Sequence, residues 1–256
     1  MRKREKLAII HKHYKNAVTT IDSVNMLIDF IEEKYDIDPN KIMLADSLCS
    51  DDVNNIQYPS RAHEFLGPFK MGGLDGFPFT GLTGMGAFAS HVPDEGAVFI
   101  YYGPHIGISR DGTVGQINRI GQSKPSGCCG AARAGLAKLI NGQIEEGKMM
   151  DTDYQMNTIE QILLKQKDRI LKAEHQLKEV TEVIYEATEE RINYLVENTK
   201  YNCKYVILMG AILINGDPEM GSFSETKRFD VIDLHNGKKT SHVNDYLNYR
   251  TSSLIE

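Results

Sequence analysis

The stretch CKYVILMGAILIN (residues 203–215) decides the fold, because it is almost wholly apolar over the length of a strand. Central strands of parallel sheets are buried on both faces and have this composition, so the stretch predicts a buried strand. GAVFIYYGPHIGIS (96–109) is rich in β-branched and aromatic residues and predicts a second strand. KIMLADSLCSDDV (41–53) predicts a third, which delivers polar residues at its carboxyl end.

Helical patterns alternate with these strands. Residues 1–35 carry apolar side chains at three- and four-residue steps and predict a helical arm, with Asp22 and Ser23 as candidate breakers. Residues 152–201 form the longest helical pattern, with an apolar stripe and charges elsewhere, as in a packing or dimerisation element. This order predicts one α/β domain over residues 1–256, with a central, mostly parallel sheet and flanking helices.

The composition excludes several classes of protein. Hydrophobic residues make up 41% of the chain and charged residues 25%, as in an ordinary globular protein. The net charge of −6 argues against a general nucleic-acid binder, which carries a basic face. No segment has the composition of a signal peptide or the roughly 20 apolar residues of a membrane span. Four cysteines without disulfide-framework spacing indicate a reducing compartment, and we expect a cytoplasmic protein.

Two of the four cysteines are adjacent, in SGCCGAAR (126–133). Cys49, His105 and one of the pair follow strands or precede a helix, and two thiolates with one imidazole are a ligand set that zinc prefers. Three protein ligands with an open fourth position are typical of a catalytic zinc site. Cys129 is the better candidate than Cys128, because it directly precedes the helix AARAGLAKLI, whose N-terminus stabilises a thiolate.

Structural explanations compete with this hypothesis. A cysteine is commonly a small buried hydrophobe, and Cys203 fits that description. His105 taken alone resembles a core histidine. A thiol enzyme, with Cys129 as nucleophile and His105 as base, is a further alternative, distinguished by its lack of metal.

A glycine-rich segment, GPFKMGGLDGFPFTGLTGMG (67–86), follows the first predicted strand. One interpretation is a loop of tight turns. The other is that interleaved aromatic residues, among them Phe77, Phe79 and Phe88, wall an apolar pocket for a small ligand. His91 follows this segment and differs from the other histidines, most of which resemble surface residues.

Four motifs together resemble the limiting-CO2-inducible protein B/C family, which is similar to β-carbonic anhydrases. They are LCSDDVN (48–54), GGLDGFPFTGLTGMGAFASHVPDEG (72–96), FIYYGPHIGISRDGTVG (99–115) and SGCCGAA (126–132). The resemblance implies a β-carbonic-anhydrase-like α/β domain, a homodimer, and a Zn2+ ion held by Cys49, His105 and Cys129. It also implies interconversion of CO2 and bicarbonate in some members, and a scaffold that acts through a partner in others.

The hypothesis of a zinc hydro-lyase acting on CO2 assigns roles to further residues. Asp51 would orient the reactive oxygen or fill the fourth zinc position, unless it merely caps the next helix. Phe77, Phe79 and Phe88 would hold CO2, and His91 is a candidate proton shuttle, since an imidazole titrates near pH 6.5. A typical β-carbonic anhydrase has C-x-D-x-R, but Val53 stands at the arginine position here. Arg61 and Arg133 are the candidates to replace it in space.

Overall fold

A central sheet organises the chain in the computed structural model, which describes residues 1–54 and 60–253. The strands are β1 Val18–Thr19, β2 Ile42–Ser47, β3 Leu66–Lys70, β4 Ala97–Tyr102, β5 His105–Gly107, β6 Gln116–Ile117, β7 Ser126–Gly127, β8 Tyr205–Asn215, β9 Ser222–Asp233 and β10 Lys238–Ser241. The helices are α1 Lys3–Ile10, α2 Thr20–Tyr35, α3 Gly81–Ser90, α4 Gly130–Ile140, α5 Tyr154–Lys165, α6 Lys167–Lys172, α7 Gln176–Glu197 and α8 Val243–Ser253.

The described residues form an eight-stranded sheet in the order β1-β9-β8-β4-β2-β3, with β10 beside β9 and β5 beside β8. The pairs β2/β3, β2/β4, β4/β8 and β5/β8 are parallel, and the pairs involving β9 are antiparallel. Leu44 pairs with Phe99, and Phe99 pairs with Ile207. The mixed α/β class and the mostly parallel centre are therefore confirmed, and the three apolar stretches are its central strands.

Alternate side chains of the strands build two cores. Val206 and Leu208 face a cluster shared with α1, α3 and α7, whereas Ile207 and Met209 face a cluster shared with α2 and α8. This alternation follows from the two-residue period of a strand. A third cluster, formed by α4, α5 and α7, includes Cys49 and Cys129. The sheet is thus covered on both faces.

The two long helical predictions need correction. The arm predicted over residues 1–35 is α1 and α2, and the break lies at residues 11–19, not at Asp22. Thr19 caps α2 by accepting a hydrogen bond from the Asp22 backbone N–H, so Asp22 lies in the first turn, where acidic residues are favourable. The segment 152–201 is three helices, α5 to α7. The helices break at Gln166, which has non-helical dihedral angles, and again at residues 173–175.

No helix in the described ranges combines the length and apolar character needed to span a membrane.

Candidate metal centre

Three elements deliver the predicted ligands to the carboxyl end of the parallel strands. Cys49 lies two residues after β2 ends, His105 begins β5, and Cys129 is the N-cap residue of α4. Gly103 makes the sharp change of direction before His105: its φ is 150°, and a Cβ there would meet the Ala211 carbonyl oxygen at 1.7 Å. Only glycine allows β4 to turn into β5 this close to β8.

The donor atoms of Cys49, His105 and Cys129 all lie within 4.8 Å of one another. The two sulfur atoms are 4.0 Å apart and are not bonded. All three residues are buried, with exposed fractions of 7%, 1% and 3%. The structure therefore brings together the three residues expected to bind zinc.

A hydrogen-bond chain through Asn215 fixes the orientation of His105. The Asn215 Nδ2 donates to the Val53 carbonyl oxygen at 3.1 Å and to the Asn54 Oδ1 at 3.3 Å, so its Oδ1 must face the imidazole as an acceptor. The His105 Nδ1 lies 2.7 Å from that oxygen and therefore carries the proton. Nε2 is then the nitrogen that holds the lone pair once the imidazole is neutral, and it is buried without a hydrogen-bond partner in the described residues.

Cys128 occupies the other side of the imidazole. Its sulfur lies 3.5 Å from the His105 Nδ1 and 3.7 Å from the Asn215 Oδ1. Cys129 lies at the N-terminus of α4, where unpaired backbone N–H groups and the helix dipole favour a thiolate. Both neighbouring cysteines thus lie near His105. Of the two, Cys129 belongs to the cluster with Cys49.

The electrostatics of the cluster favour a bound cation. A hydrogen bond from Cys129 lowers the pKa of the Cys49 thiol. The same shared proton raises the pKa of Cys129, and burial raises the pKa of Cys129 further. Burial opposes the charged form of His105, but the Cys128 and Cys49 sulfurs outweigh it and raise the histidine pKa well above its usual value. The cluster therefore attracts positive charge, which a proton supplies in the metal-free chain.

This donor set fits a metal ion. A buried imidazole nitrogen with a free lone pair and two adjacent thiols are ligands that zinc accepts, and the Asn215 contact is the supporting hydrogen bond that metal-binding histidines usually have. A second group, Asp51 with His105 and Cys128, also has donor atoms within 4.8 Å of one another. There the imidazole nitrogen beside Cys128 is already bonded to Asn215. The first group is therefore the better metal site.

Asp51 is paired with an arginine that the sequence analysis did not select. The Arg119 Nη2 donates to the Asp51 Oδ1 at 2.7 Å, and the same guanidinium bonds Asp52 and the Ser126 hydroxyl. Burial opposes ionisation of Asp51, but the hydrogen bonds of Arg119, Asp52 and the Val53 backbone N–H together outweigh it and hold the pKa of the carboxyl below its usual value. The Asp51 Oδ1 also accepts a 3.3 Å bond from the Val53 backbone N–H, so a capping contact is present too.

The two arginines suggested for the place of Val53 lie elsewhere. Arg61 pairs with Asp29 and Glu32 of α2. Arg133 donates to the Gly115 carbonyl oxygen at 3.3 Å. The arginine that pairs with Asp51 is Arg119 instead. It follows β6, and the pairing of β6 with β7 brings it beside the loop after β2. No sequence pattern relates residues 51 and 119, so this pairing was missed.

A cavity of about 480 Å3 opens beside this pair. Its lining combines apolar residues such as Ile117 and Ile120 with the polar side chains of Arg119, Asn118, Asp52, Asn215 and Asp217. Because Arg119 contacts Asp51 and Asn215 contacts His105, the cavity adjoins the metal cluster.

The aromatic residues divide between two cores. Phe77 packs in the same cluster as Cys49 and Cys129, and Phe79 contacts Phe77 with ring centroids 5.1 Å apart. Phe88 does not join them: it is fully buried in the core that α3 forms with the sheet. The end of the glycine-rich segment forms the start of α3, and Met85 and Phe88 lie on the buried face of this helix, three residues apart.

His91 is exposed at the C-terminal cap of α3. Among the interactions described for residues 1–54 and 60–253, none joins it to the metal cluster. Its role as a proton shuttle stays a prediction.

A second carboxylate, Asp75, lies at the cluster and was missed entirely. It is fully buried, and its nearest polar side chain is the Cys129 thiol, a weak donor. Burial raises the pKa of Asp75 to about 6, an effect that the nearby Cys129 and His105 partly offset. An acidic residue between glycines, in GGLDG (72–76), is the signal that could have identified it.

Comparisons with known proteins agree with this geometry. A crystal structure of PtLCIB4, described as a homolog of the limiting CO2-inducible protein LCIB, is 28% identical, with a TM-score of 0.80 over 92% of this chain and 98% of that one. A structure of LCIB itself is 20% identical, with a TM-score of 0.69 over 90% and 95% of the two chains, and supports the fold alone. No curated protein sequence matches significantly. The family model of limiting CO2-inducible protein B/C beta carbonic anhydrases matches residues 18–233, so the chain belongs to this family.

Proposed function

We propose that the protein interconverts CO2 and bicarbonate as a zinc-dependent carbonic anhydrase. The observation that supports this most directly is the buried cluster of His105, whose Nε2 has no hydrogen-bond partner in the described residues, with the thiols of Cys49 and Cys129. Cys49, His105 and Cys129 would hold the ion and leave one tetrahedral position open. When bound, zinc is a Lewis acid that lowers the pKa of water to about 7 and so supplies a nucleophile at neutral pH.

The chain's own residues have distinct tasks in this proposal. Asn215 keeps the proton on the His105 Nδ1, so that Nε2 stays available as a ligand. Asp51 holds the Arg119 guanidinium at the wall of the cavity. The positive charge of Arg119 favours entry and binding of the bicarbonate anion there. Phe77 forms an apolar wall beside the two cysteines, which suits CO2.

The orientation of the reacting oxygen remains the proposed task of Asp51. Its 2.7 Å bond to Arg119 keeps the carboxylate ionised, as a hydrogen-bond acceptor must be. The Asp51 Oδ1 already accepts from both Arg119 and the Val53 backbone N–H, and Asp51 is not a member of the cluster of Cys49, His105 and Cys129. We therefore favour this positioning role over Asp51 as a zinc ligand.

A zinc-containing scaffold that acts through a partner is the second candidate. It would keep the metal and the fold but lack turnover. The thiol-enzyme alternative has less support, because Cys129 is buried and its pKa is raised, which disfavours the nucleophilic thiolate.

A direct CO2 hydration assay on zinc-loaded protein tests the proposal. Turnover that is lost in Cys129→Ser and kept in Cys203→Ser supports it; Cys203 is also buried but packs in a different core cluster. Full zinc content without turnover supports the scaffold instead.

We also propose a homodimer in a reducing compartment such as the cytoplasm. The cysteines are free, as expected for reducing conditions. Exposed apolar side chains that a second copy would cover include Leu66 on the edge strand β3 and Ile120, which is 88% exposed beside Arg119. Sedimentation at micromolar concentration should give twice the mass of the chain, and a monomer there contradicts the dimer.

A further inference from the structure

A second cavity, of about 560 Å3, lies between the helices α5 and α7. Helix α5 contributes one face to it, from Tyr154 to Lys165, and α7 contributes a face from Ala187 to Tyr194. We call this cavity the α5/α7 groove. Its volume is within the range of small-molecule sites, roughly 300–1,000 Å3. Neither Cys49, His105 nor Cys129 lines it, so it is separate from the metal centre.

Aromatic side chains gather at the end of the groove where α5 begins. Phe77 lies at this end, and the guanidinium carbon of Arg191 is 5.5 Å from the centroid of its ring. The ring of Phe79 contacts both Phe77 and Tyr154 and so joins them. Tyr154 and Tyr194 are 53% and 52% exposed. Rings as exposed as these in a concave site are available to stack on a flat ligand.

The groove also contains charged side chains without partners. Within residues 1–54 and 60–253, no hydrogen bond or ion pair is described for Lys165, Arg191 or Glu190, which all line the groove. An unpaired surface lysine is ordinary by itself. Two unpaired cations and one unpaired carboxylate beside exposed aromatic rings are a less common combination, and their net charge is positive in a chain of net charge −6. The groove therefore favours an anion.

The aromatic end and Lys165 are separated along the groove. Tyr154 is the first residue of α5, and Lys165 is the last. At 1.5 Å of rise per residue, the eleven steps between them span roughly 16 Å. A ligand that fills the groove is thus flat at one end and anionic at the other.

We propose that the α5/α7 groove binds a nucleoside polyphosphate. The base stacks on the aromatic rings and the Arg191 guanidinium, and the phosphates contact Lys165. Glu190 accepts a hydrogen bond from a ribose hydroxyl, as acidic residues do in dinucleotide sites. Aromatic carboxylates are also flat anions, but they offer Glu190 no hydroxyl. The length of the groove favours a polyphosphate over a monophosphate.

Titration of the full chain with ATP, adenosine and tripolyphosphate, followed by calorimetry, separates the two ends of the ligand. Metal-free protein without Mg2+ is used, so the result does not depend on the metal centre. Failure of this proposal therefore leaves the proposed carbonic anhydrase untouched. ATP should bind at least about 10-fold more tightly than adenosine or tripolyphosphate, because each of these makes only part of the contacts.

Two variants change one end each. Lys165→Met should weaken the binding of ATP about 10-fold, as expected for the loss of a charged contact to phosphate. Tyr154→Ala should weaken the binding of ATP about 5-fold or more, the lower limit for losing a stacked base, and should leave tripolyphosphate binding unchanged. Both side chains are exposed, so both variants should fold like the wild type.

The matched control is Lys167→Met. Lys167 is the first residue of α6 and is also exposed, but it does not line the groove. This variant should bind ATP as tightly as the wild type.

Four results would overturn the proposal. The first is a wild-type chain that does not bind ATP at millimolar concentration. Tripolyphosphate that binds as tightly as ATP shows attraction of anions by charge alone. Equal losses in Lys165→Met and Lys167→Met place ATP elsewhere, for example on the basic residues of α1. A mass that falls in sedimentation of Tyr154→Ala, in a protein that binds no ATP, makes the groove an interface between copies of the chain.

Discussion

Asn215 holds His105 by a 2.7 Å hydrogen bond from the imidazole Nδ1 to the amide oxygen, and this contact leaves Nε2 facing Cys49 and Cys129. The amide itself cannot rotate without losing its bonds to the Val53 carbonyl oxygen and the Asn54 side chain. Asn215, the last residue of β8, therefore determines which nitrogen of His105, the first residue of β5, can bind metal. Such supporting contacts commonly decide metal affinity.

Replacing Asn215 with Leu should weaken zinc binding about 10- to 100-fold, because the imidazole loses the acceptor that fixes its tautomer. Competition with a chelator of known affinity measures this. Asn118→Ala is the control, since Asn118 lines the same cavity but bonds Asp217. Equal zinc affinity in Asn215→Leu and wild type would contradict the role of this contact.

The adjacent cysteines should behave differently. Cys129→Ser should empty the site, because it removes one of three ligands, whereas Cys128→Ser should keep most of the metal, since its sulfur faces the bonded Nδ1 side of His105. Zinc per chain, measured by elemental analysis of folded protein, gives the answer. Equal losses in both variants would show that the choice of Cys129 is wrong.

Zinc binding near pH 7 should release about two protons, because thiol ligands and imidazole bind metal in their deprotonated forms. The lowered pKa of Cys49 means that it is already a thiolate, while the raised pKa values of Cys129 and His105 mean that each still carries a proton. Zinc affinity should therefore rise with pH. Calorimetry in buffers of different ionisation enthalpy counts the protons, and an affinity that does not change between pH 6 and 8 would contradict this assignment.

Asp51→Asn should reduce CO2 hydration by roughly 100-fold or more, as for other positioned acid–base groups, while zinc content changes little. Arg119→Met should reduce it as well, because Asp51 loses its partner. Arg61→Met should retain full activity, since the partners of Arg61 among the described residues are the α2 carboxylates Asp29 and Glu32. If Asp51 were only a cap, Asp51→Asn would cost about 1 kcal/mol of stability and keep its activity per zinc.

The sequence was sufficient to predict the central strands and the three residues that the structure brings together, Cys49, His105 and Cys129. Buried parallel strands are continuous apolar runs, and residues after their carboxyl ends meet at one edge, so Cys49 and His105 could be related without a structure. The start of α4 placed Cys129 at a helix N-terminus, as expected.

Other features depend on tertiary structure. Arg119 reaches Asp51 only through the path of the β6–β7 segment, and Phe88 belongs to the opposite core because α3 turns its side chain to the sheet. The burial of Asp75 beside Cys129 also depends on how the glycine-rich segment packs against the strand ends. The breaks between helices within residues 152–201 were not predicted, because the apolar stripe continues across them.

The measurement that tests the central claim most directly is zinc content and CO2 hydration on the same preparation of the full chain. The proposal predicts about one zinc per chain, as for a single site with three protein ligands, and hydration that disappears with the metal in Cys129→Ser. A chain that binds zinc fully but does not hydrate CO2 would contradict the proposed enzyme, and a folded chain that binds no zinc would contradict the metal site as well.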